Sequence, residues 1–233
     1  DQAKATGQGA TAIGSLSLAS ALHSLAVGDQ AHATGQDSSA YGLLSDATGV
    51  GSVALGTVAK AHNNNAIAVG NTSTVTGLNS IGIGSLANAA GTQTVVVGRQ
   101  AHSDAASENS VAIGQGAHAG GQKRVGEQYS ASTIAIGNIA YAAENGDVVI
   151  GRQATSTVSK YHGEDGSGAV VMGSEAHSYG SRGDVVLGSG AEANIIRKGT
   201  TNPAATPIYS QSIAIGSMAK VYGTQAMSIG GDV

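Results

Sequence analysis

The chain has 233 residues, 36 of them Gly, with no Phe, Trp or Cys, a formal net charge of −4 and only 11% charged residues. Without Phe or Trp a thick enzyme-like core cannot be filled, and without Cys there are no disulfides or zinc–thiolate sites. No basic cluster offers a surface to nucleic acid or an anionic membrane, and no apolar run is long enough to span a bilayer.

The hydrophobic fraction of 41% separates the chain from disordered sequences. Its opening, DQAKATGQG, has no leader character and reads as the tail of one more repeat, with Ala3, Ala5 and Gly7 matching Ala87, Ala89 and Gly91. The last residues, SIGGDV, stop inside another copy, so the expectation is a segment of a longer repetitive protein.

From Thr11 onward an apolar phrase closed by Gly recurs. It reads SVALGTVAKAHN at 52–63, SIGIGSLANAAG at 80–91 and SVAIGQGAHAGG at 110–121. The closing Gly falls at Gly14, Gly28, Gly42, Gly56, Gly70, Gly84 and Gly98, a spacing of 14. It continues at Gly114, Gly137, Gly151, Gly173, Gly188, Gly216 and Gly230 with gaps of 16, 23, 14, 22, 15, 28 and 14. A fixed period marks a solenoid. A second Gly follows seven residues after the first, as at Gly35, Gly49 and Gly77, with Asn63 once in its place as a residue that tolerates a left-handed conformation. Gly at every seventh residue excludes a coiled coil. The spacing predicts strand, turn, strand, turn in each 14 residues, corners on Gly, and a rise of about 4.8 Å per turn. Thirteen such steps make a rod on the order of 60 Å.

Column by column, the first strand carries large apolar residues one and three places before the Gly, such as Val53, Leu55, Ile67 and Val69. Between them lies a small column with Ala54, Ala68, Ala112, Ala135, Val149 and Ala214. The second strand alternates small residues, such as Ala59 and Ala61, with a polar column of His32, Asp46, Lys60, Thr74, His102, His118 and His177. Alternation places these columns on opposite faces. Size suggests that the large residues of the first strand fill the core against the small ones of the second. The small column of the first strand would then line an apolar stripe on the outside. Such a stripe is an interface, and Ala54, Ala68, Ala112, Ala135, Val149 and Ala214 are the expected contacts at the axis of a symmetric homo-oligomer.

Three insertions interrupt what reads as a single domain over 1–233, near 120–132, 157–168 and 194–211. They concentrate charge and aromatics, and their candidate ligand-binding residues are Lys123, Arg124, Tyr129, Lys160, Tyr161, His162, Arg197, Lys198 and Tyr209. The His column reads as solvated side chains, since no column of acids accompanies it. There is no GxxxxGK[ST] phosphate loop, no Asp-rich nine-residue calcium repeat, no flat Thr array and no catalytic constellation. The expectation is therefore no enzyme, no cofactor and no metal. A hexapeptide-repeat acyltransferase fails on period, because 14 is not a multiple of six; a trimeric phage or capsule-associated fibre stays open as the alternative.

The phrase SVAIGxxAxAxG at a 14-residue period resembles the head repeats of trimeric autotransporter adhesins, the YadA-like heads. The resemblance implies an all-β, left-handed parallel β-roll solenoid assembled as a homotrimer, on the cell surface of a Gram-negative-type bacterium. It implies a coiled-coil stalk and an outer-membrane β-barrel outside this sequence, so contact with a membrane would come only through that anchor. It also implies an extracellular protein or glycan as ligand, with no nucleic acid. Collagen-binding members favour Ser three residues after the Gly; Ser17, Ser45 and Ser73 fit, while most copies here have Ala.

Overall fold

The computed structural model describes residues 2–120, 132–157, 168–179, 183–193, 211–222 and 225–231. They form two compact units, Asp1–Asn109 and Ser110–Val233. Each is a parallel β-solenoid, and the described residues contain no helix.

In the first unit three-residue strands such as Val53–Leu55, Ile67–Val69 and Ile81–Ile83 alternate with two-residue strands such as Lys60–Ala61 and Thr74–Val75. Each kind pairs only with its own kind, one turn away, so two parallel sheets form. Ile67 lies opposite Val53 and Ile81, and Thr74 opposite Lys60 and Asn88. The second unit repeats this, with Val111–Ile113 pairing with Ile134–Ile136 and Val148–Ile150 with Val170–Met172. The pairs across the long gaps keep the register of plain turns, so the insertions leave the ladder intact.

The corners are hydrogen-bonded as fully as the strands. At the first corner, Gly56 N donates to Tyr41 O and Val58 N to Leu43 O, both at 2.8 Å, one turn back. Gly56 has φ 137°, and a Cβ there would sit 2.5 Å from Gly70 O, so the turns can stack this closely only on Gly. Two residues later the chain is left-handed again, and here most copies do not have Gly: Leu44, Val58, Thr72 and Leu86 have φ of 54–59°. Non-Gly residues in this region cost about 1–2 kcal/mol each. The inter-turn hydrogen bond that each N–H makes offsets that cost.

The second corner differs from its sequence reading. Asn63 and the aligned Gly35, Gly49 and Gly77 do not have positive φ; the left-handed residues stand two places later, at Asp37, Gly51, Asn65 and Asn79. Gly is favoured at that corner by crowding, because a Cβ on Gly35 would lie 2.0 Å from Gly49 O.

The core is thinner than size alone suggests, and its composition reverses one expectation. Ala54, Ala68, Ala112, Ala135, Val149 and Ala214 are 0% exposed, enclosed by the chain's own two sheets. They cannot line an axis between chains. The buried positions four and two before the Gly, and three and five after it, hold mostly small residues, chiefly Ala and Ser, with Asp147 and Asp184 among the exceptions. Among the described residues the largest apolar side chains fully buried are Val75, Val96, Val149, Val171 and Val186. Small packs against small, so the sheets close directly on each other and leave no room for the Ile and Leu of the first strand. Those side chains point outward.

Candidate functional site

Three surfaces are built from this repeat. The first is the outer face of the three-residue strands. It carries Leu25, Val27, Val53, Leu55, Ile67, Val69, Ile81 and Ile83 in the first unit, half-buried or exposed. Ile13 and Tyr41 are 58% and 54% exposed. The neighbouring corner adds Leu16, Leu44 and Leu86, apolar side chains exposed at strained left-handed positions. In the second unit Ile113 and Met172 continue the strand column, and Ile139 and Met218 the corner column. Contiguous apolar surface of this kind marks an interaction site.

The second surface is the outer face of the two-residue strands, polar as the sequence suggests. His118 packs against Tyr141 with ring centroids 4.7 Å apart and planes tilted by 54°, Thr155 Oγ1 lies 2.6 Å from His177 Nδ1, and His177 neighbours Tyr179 at 5.9 Å. The sequence reading found no column of acids beside the His column, yet one acid stands there: ligand atoms of His102, Asp104 and His118 all lie within 4.8 Å of one another. Acids also meet two histidines outside the column. His23 Nδ1 is 3.2 Å from Asp37 Oδ1, and His62 Nε2 is 3.1 Å from Asp46 Oδ2, each across one turn. Neither His stands in the outward column, and so spacing within that column could not find them. Arg152 and Glu175 pair in the same way across a turn of the second unit.

The third surface is the set of loop roots. Lys123, Arg124, Tyr129, Lys160, Tyr161, His162, Arg197, Lys198 and Tyr209 all lie outside the described residues. What is described is how the chain returns from each insertion. In most plain turns the N–H four places before the Gly bonds the second corner's carbonyl, as in Ser38 N to Gly35 O and Ser52 N to Gly49 O at 3.2 Å, while Thr94 N donates to Ser80 Oγ of the previous turn at 3.0 Å. After each insertion the N–H in that place donates to a buried side chain of the previous turn: Thr133 N to Ser110 Oγ, Ala169 N to Asp147 Oδ1 and Ser212 N to Asp184 Oδ1, each at 3.0 Å. Burial raises the Asp147 carboxyl above its ordinary value, against hydrogen bonds from Ser156 Oγ and the main-chain N–H groups of Glu144, Ala169 and Ala143, which lower it. These residues were missed in the sequence. The signal was present: in this column Asp occurs only at Asp147 and Asp184, each in the turn before an insertion.

Asn145, beside Asp147, fastens two returns at once. Its Oδ1 accepts from Ser132 N at 3.1 Å and its main-chain O from Gly168 N at 3.2 Å, while Gly146 N donates to Ser132 O at 3.1 Å.

Ser17, Ser45 and Ser73, the serines of the collagen-associated pattern, are buried. Ser17 and Ser45 donate to Gly14 O and Gly42 O at 2.9 Å, and Ser73 to Gly82 O at 3.1 Å. They brace the roll from within.

The sequence matches the YadA head domain repeat over residues 1–17, 19–45, 47–73, 76–101, 105–122 and 210–232. The matched segments make up more than half of the chain, which belongs to the YadA head family. Among solved structures, the crystal structure of the collagen-binding domain of the Yersinia adhesin YadA is similar at 21% identity over 80% of this chain and 70% of that one, with a TM-score of 0.38. No curated protein matches the chain.

Proposed function

We propose that this chain is the head of a bacterial surface adhesin, a left-handed roll assembled as a homotrimer on the outside of a Gram-negative-type cell. It performs no reaction and attaches to an extracellular protein or glycan on host matrix, host cells or other bacteria. The observation that carries this reading is the exposed face of Ile, Val and Leu on a chain of the YadA head family. Three copies closing that face around an axis remove it from water and leave the polar faces and the insertions outside.

Recognition falls to the insertions, with Lys123, Arg124, Tyr129, Lys160, Tyr161, His162, Arg197, Lys198 and Tyr209 as the contact residues. Loops on a rigid scaffold commonly carry binding, Tyr and Arg are the usual anchors, and three copies multiply weak contacts into firm attachment. The buried Ser17, Ser45 and Ser73 take no part in contact with a ligand.

The test is retention of the head on immobilised matrix proteins, glycans and bacterial cells. It is run beside a variant whose three insertions are cut back to the plain turn of 14 residues. The trimmed head is expected to stay folded and lose retention. Unchanged affinity of the trimmed head would move the site to the regular polar face, and no retention of the intact head on any surface would remove the adhesin reading.

A further inference from the structure

We infer that Asn145–Gly146 is a site of spontaneous covalent modification: Asn145 deamidates in the folded protein, and the isoaspartate it forms unfastens the chain's return at Ser132 and at Gly168. The pair is the chain's one Asn–Gly step. Asn145 is exposed, so water and base reach it. In the reaction the main-chain N of Gly146 attacks Cγ of Asn145. An N–C bond forms, the Cγ–Nδ2 bond breaks, and ammonia leaves carrying the proton that Gly146 N gives up. Water then opens the five-membered imide at either carbonyl. One opening restores the main chain with Asp at 145; the other routes it through the side chain as isoaspartate. Ser132 N donates to the Asn145 Oδ1 that shares Cγ, which draws electrons from the carbon under attack. Gly146 carries no Cβ to crowd ring closure.

The fold supplies its own control. Asn64 holds the matching place in the first unit, with Oδ1 accepting from Val50 N at 3.1 Å. The next residue's N–H, that of Asn65, donates to Val50 O at 2.8 Å, as that of Gly146 does to Ser132 O at 3.1 Å. The two brackets differ chiefly in the residue after the Asn, a side-chain-bearing Asn65 against Gly146. Asn145 therefore reacts and Asn64 does not. Isoaspartate lengthens the main chain by one carbon between 145 and 146 and draws Cγ and its oxygen into the main chain, so the bonds from Ser132 N to Oδ1, from Gly146 N to Ser132 O and from Gly168 N to Asn145 O are lost together.

The experiment incubates the full folded chain in mildly alkaline buffer and follows each asparagine by peptide mass mapping with isoaspartate detection. Position 145 is expected to convert several-fold faster than Asn64 or any other asparagine, with isoaspartate the larger product. Amide exchange at Ser132 and Gly168 should speed up in the converted protein. Asn145→Asp, which keeps the main chain and the acceptor, should leave that exchange slow, and Asn145→Gln should abolish conversion. Conversion at 145 only in denaturant, or at equal rates at 145 and 64, overturns the site. Unchanged exchange in the isoaspartate form overturns its consequence.

Discussion

Val75 and Gly82 show how a core of small residues sets its own volume. Most turns put Ala on both sides of the layer, as Ala54 and Ala61 do. Where Val75 takes the place five after the Gly, the facing strand position is Gly82, and a Cβ there would lie 2.7 Å from Val75 Cγ2. The backbone at Gly82 is not left-handed, so only this contact forbids Ala. Gly82→Ala is expected to cost about 1–3 kcal/mol by overpacking, and Val75→Ala roughly 2 kcal/mol by lost burial. The double variant reproduces an ordinary Ala–Ala turn and should recover most of the loss, a coupling of about 1–2 kcal/mol read from urea midpoints. Additive losses would mean the two side chains do not share space. The same columns explain what the sequence made legible and what it did not. Alternation correctly separated Ala54 from Val53 and Leu55, and placed Ala59 and Ala61 inside. It could not say which side of an uncharged strand faces in, and size pointed the wrong way. The column of Ser24, Ser52, Thr94 and Asp147 was the missing clue. It shares a face with Ala54 by parity, and its hydroxyls serve the corner carbonyls, as Ser24 Oγ does Ala21 O at 2.8 Å and Thr94 Oγ1 does Gly91 O at 3.0 Å. A face that must satisfy corner carbonyls is an inner face.

At the scale of the element, the turn tolerates insertion because its return is held by a side chain of the preceding turn. Asp147 shows how: Oδ1 takes Ala169 N, while Oδ2 takes Glu144 N at 2.9 Å and Ser156 Oγ at 2.6 Å. All of these donors favour the carboxylate, yet burial outweighs them and the pKa is raised above 3.8. The folded state therefore binds the proton more tightly than the unfolded chain. The stability this linkage contributes is complete below the unfolded value and is lost as pH rises through the higher folded one. Measured against Asp147→Ser, which places the column's common residue at this turn, the native chain should have a larger margin below about pH 4 than at neutral pH. Urea midpoints of both proteins at the two pH values decide it; a margin that widens toward neutral pH contradicts the assignment. The insertions themselves were legible as breaks in a Gly period. Their roots were not, because the partner of each returning N–H lies 22–28 residues earlier, at a distance only the register of the sheet reveals.

At the scale of the whole molecule, the distribution of large side chains decides what the chain needs. A roll whose largest fully buried apolar residue is Val gains little per turn from its own core. Meanwhile Ile13, Leu55, Ile83 and the corner leucines remain outside. Fully burying one such side chain is worth about 1.5–3 kcal/mol, so the face holds more stabilisation than the core can add by repacking. The corner leucines sharpen the point. Leu16, Leu44 and Leu86 carry left-handed strain with exposed apolar side chains, where Asn or Gly would fit without either cost. A partner surface gives them a purpose. If three copies close this face, stability is tied to concentration, and the melting temperature rises with protein concentration. Charge placed on the face should separate the chains: Leu55→Asp with Ile83→Asp is expected to lower the assembly to monomer, because an unpaired buried charge costs about 3–5 kcal/mol. Ala68→Glu acts elsewhere, since Ala68 lies inside the roll, and it should unfold the chain at every concentration. Sedimentation of the three proteins over a range of concentrations separates these outcomes. A native chain that sediments as a stable monomer with a concentration-independent melting point would leave the apolar face without its partner copies and end the trimer reading.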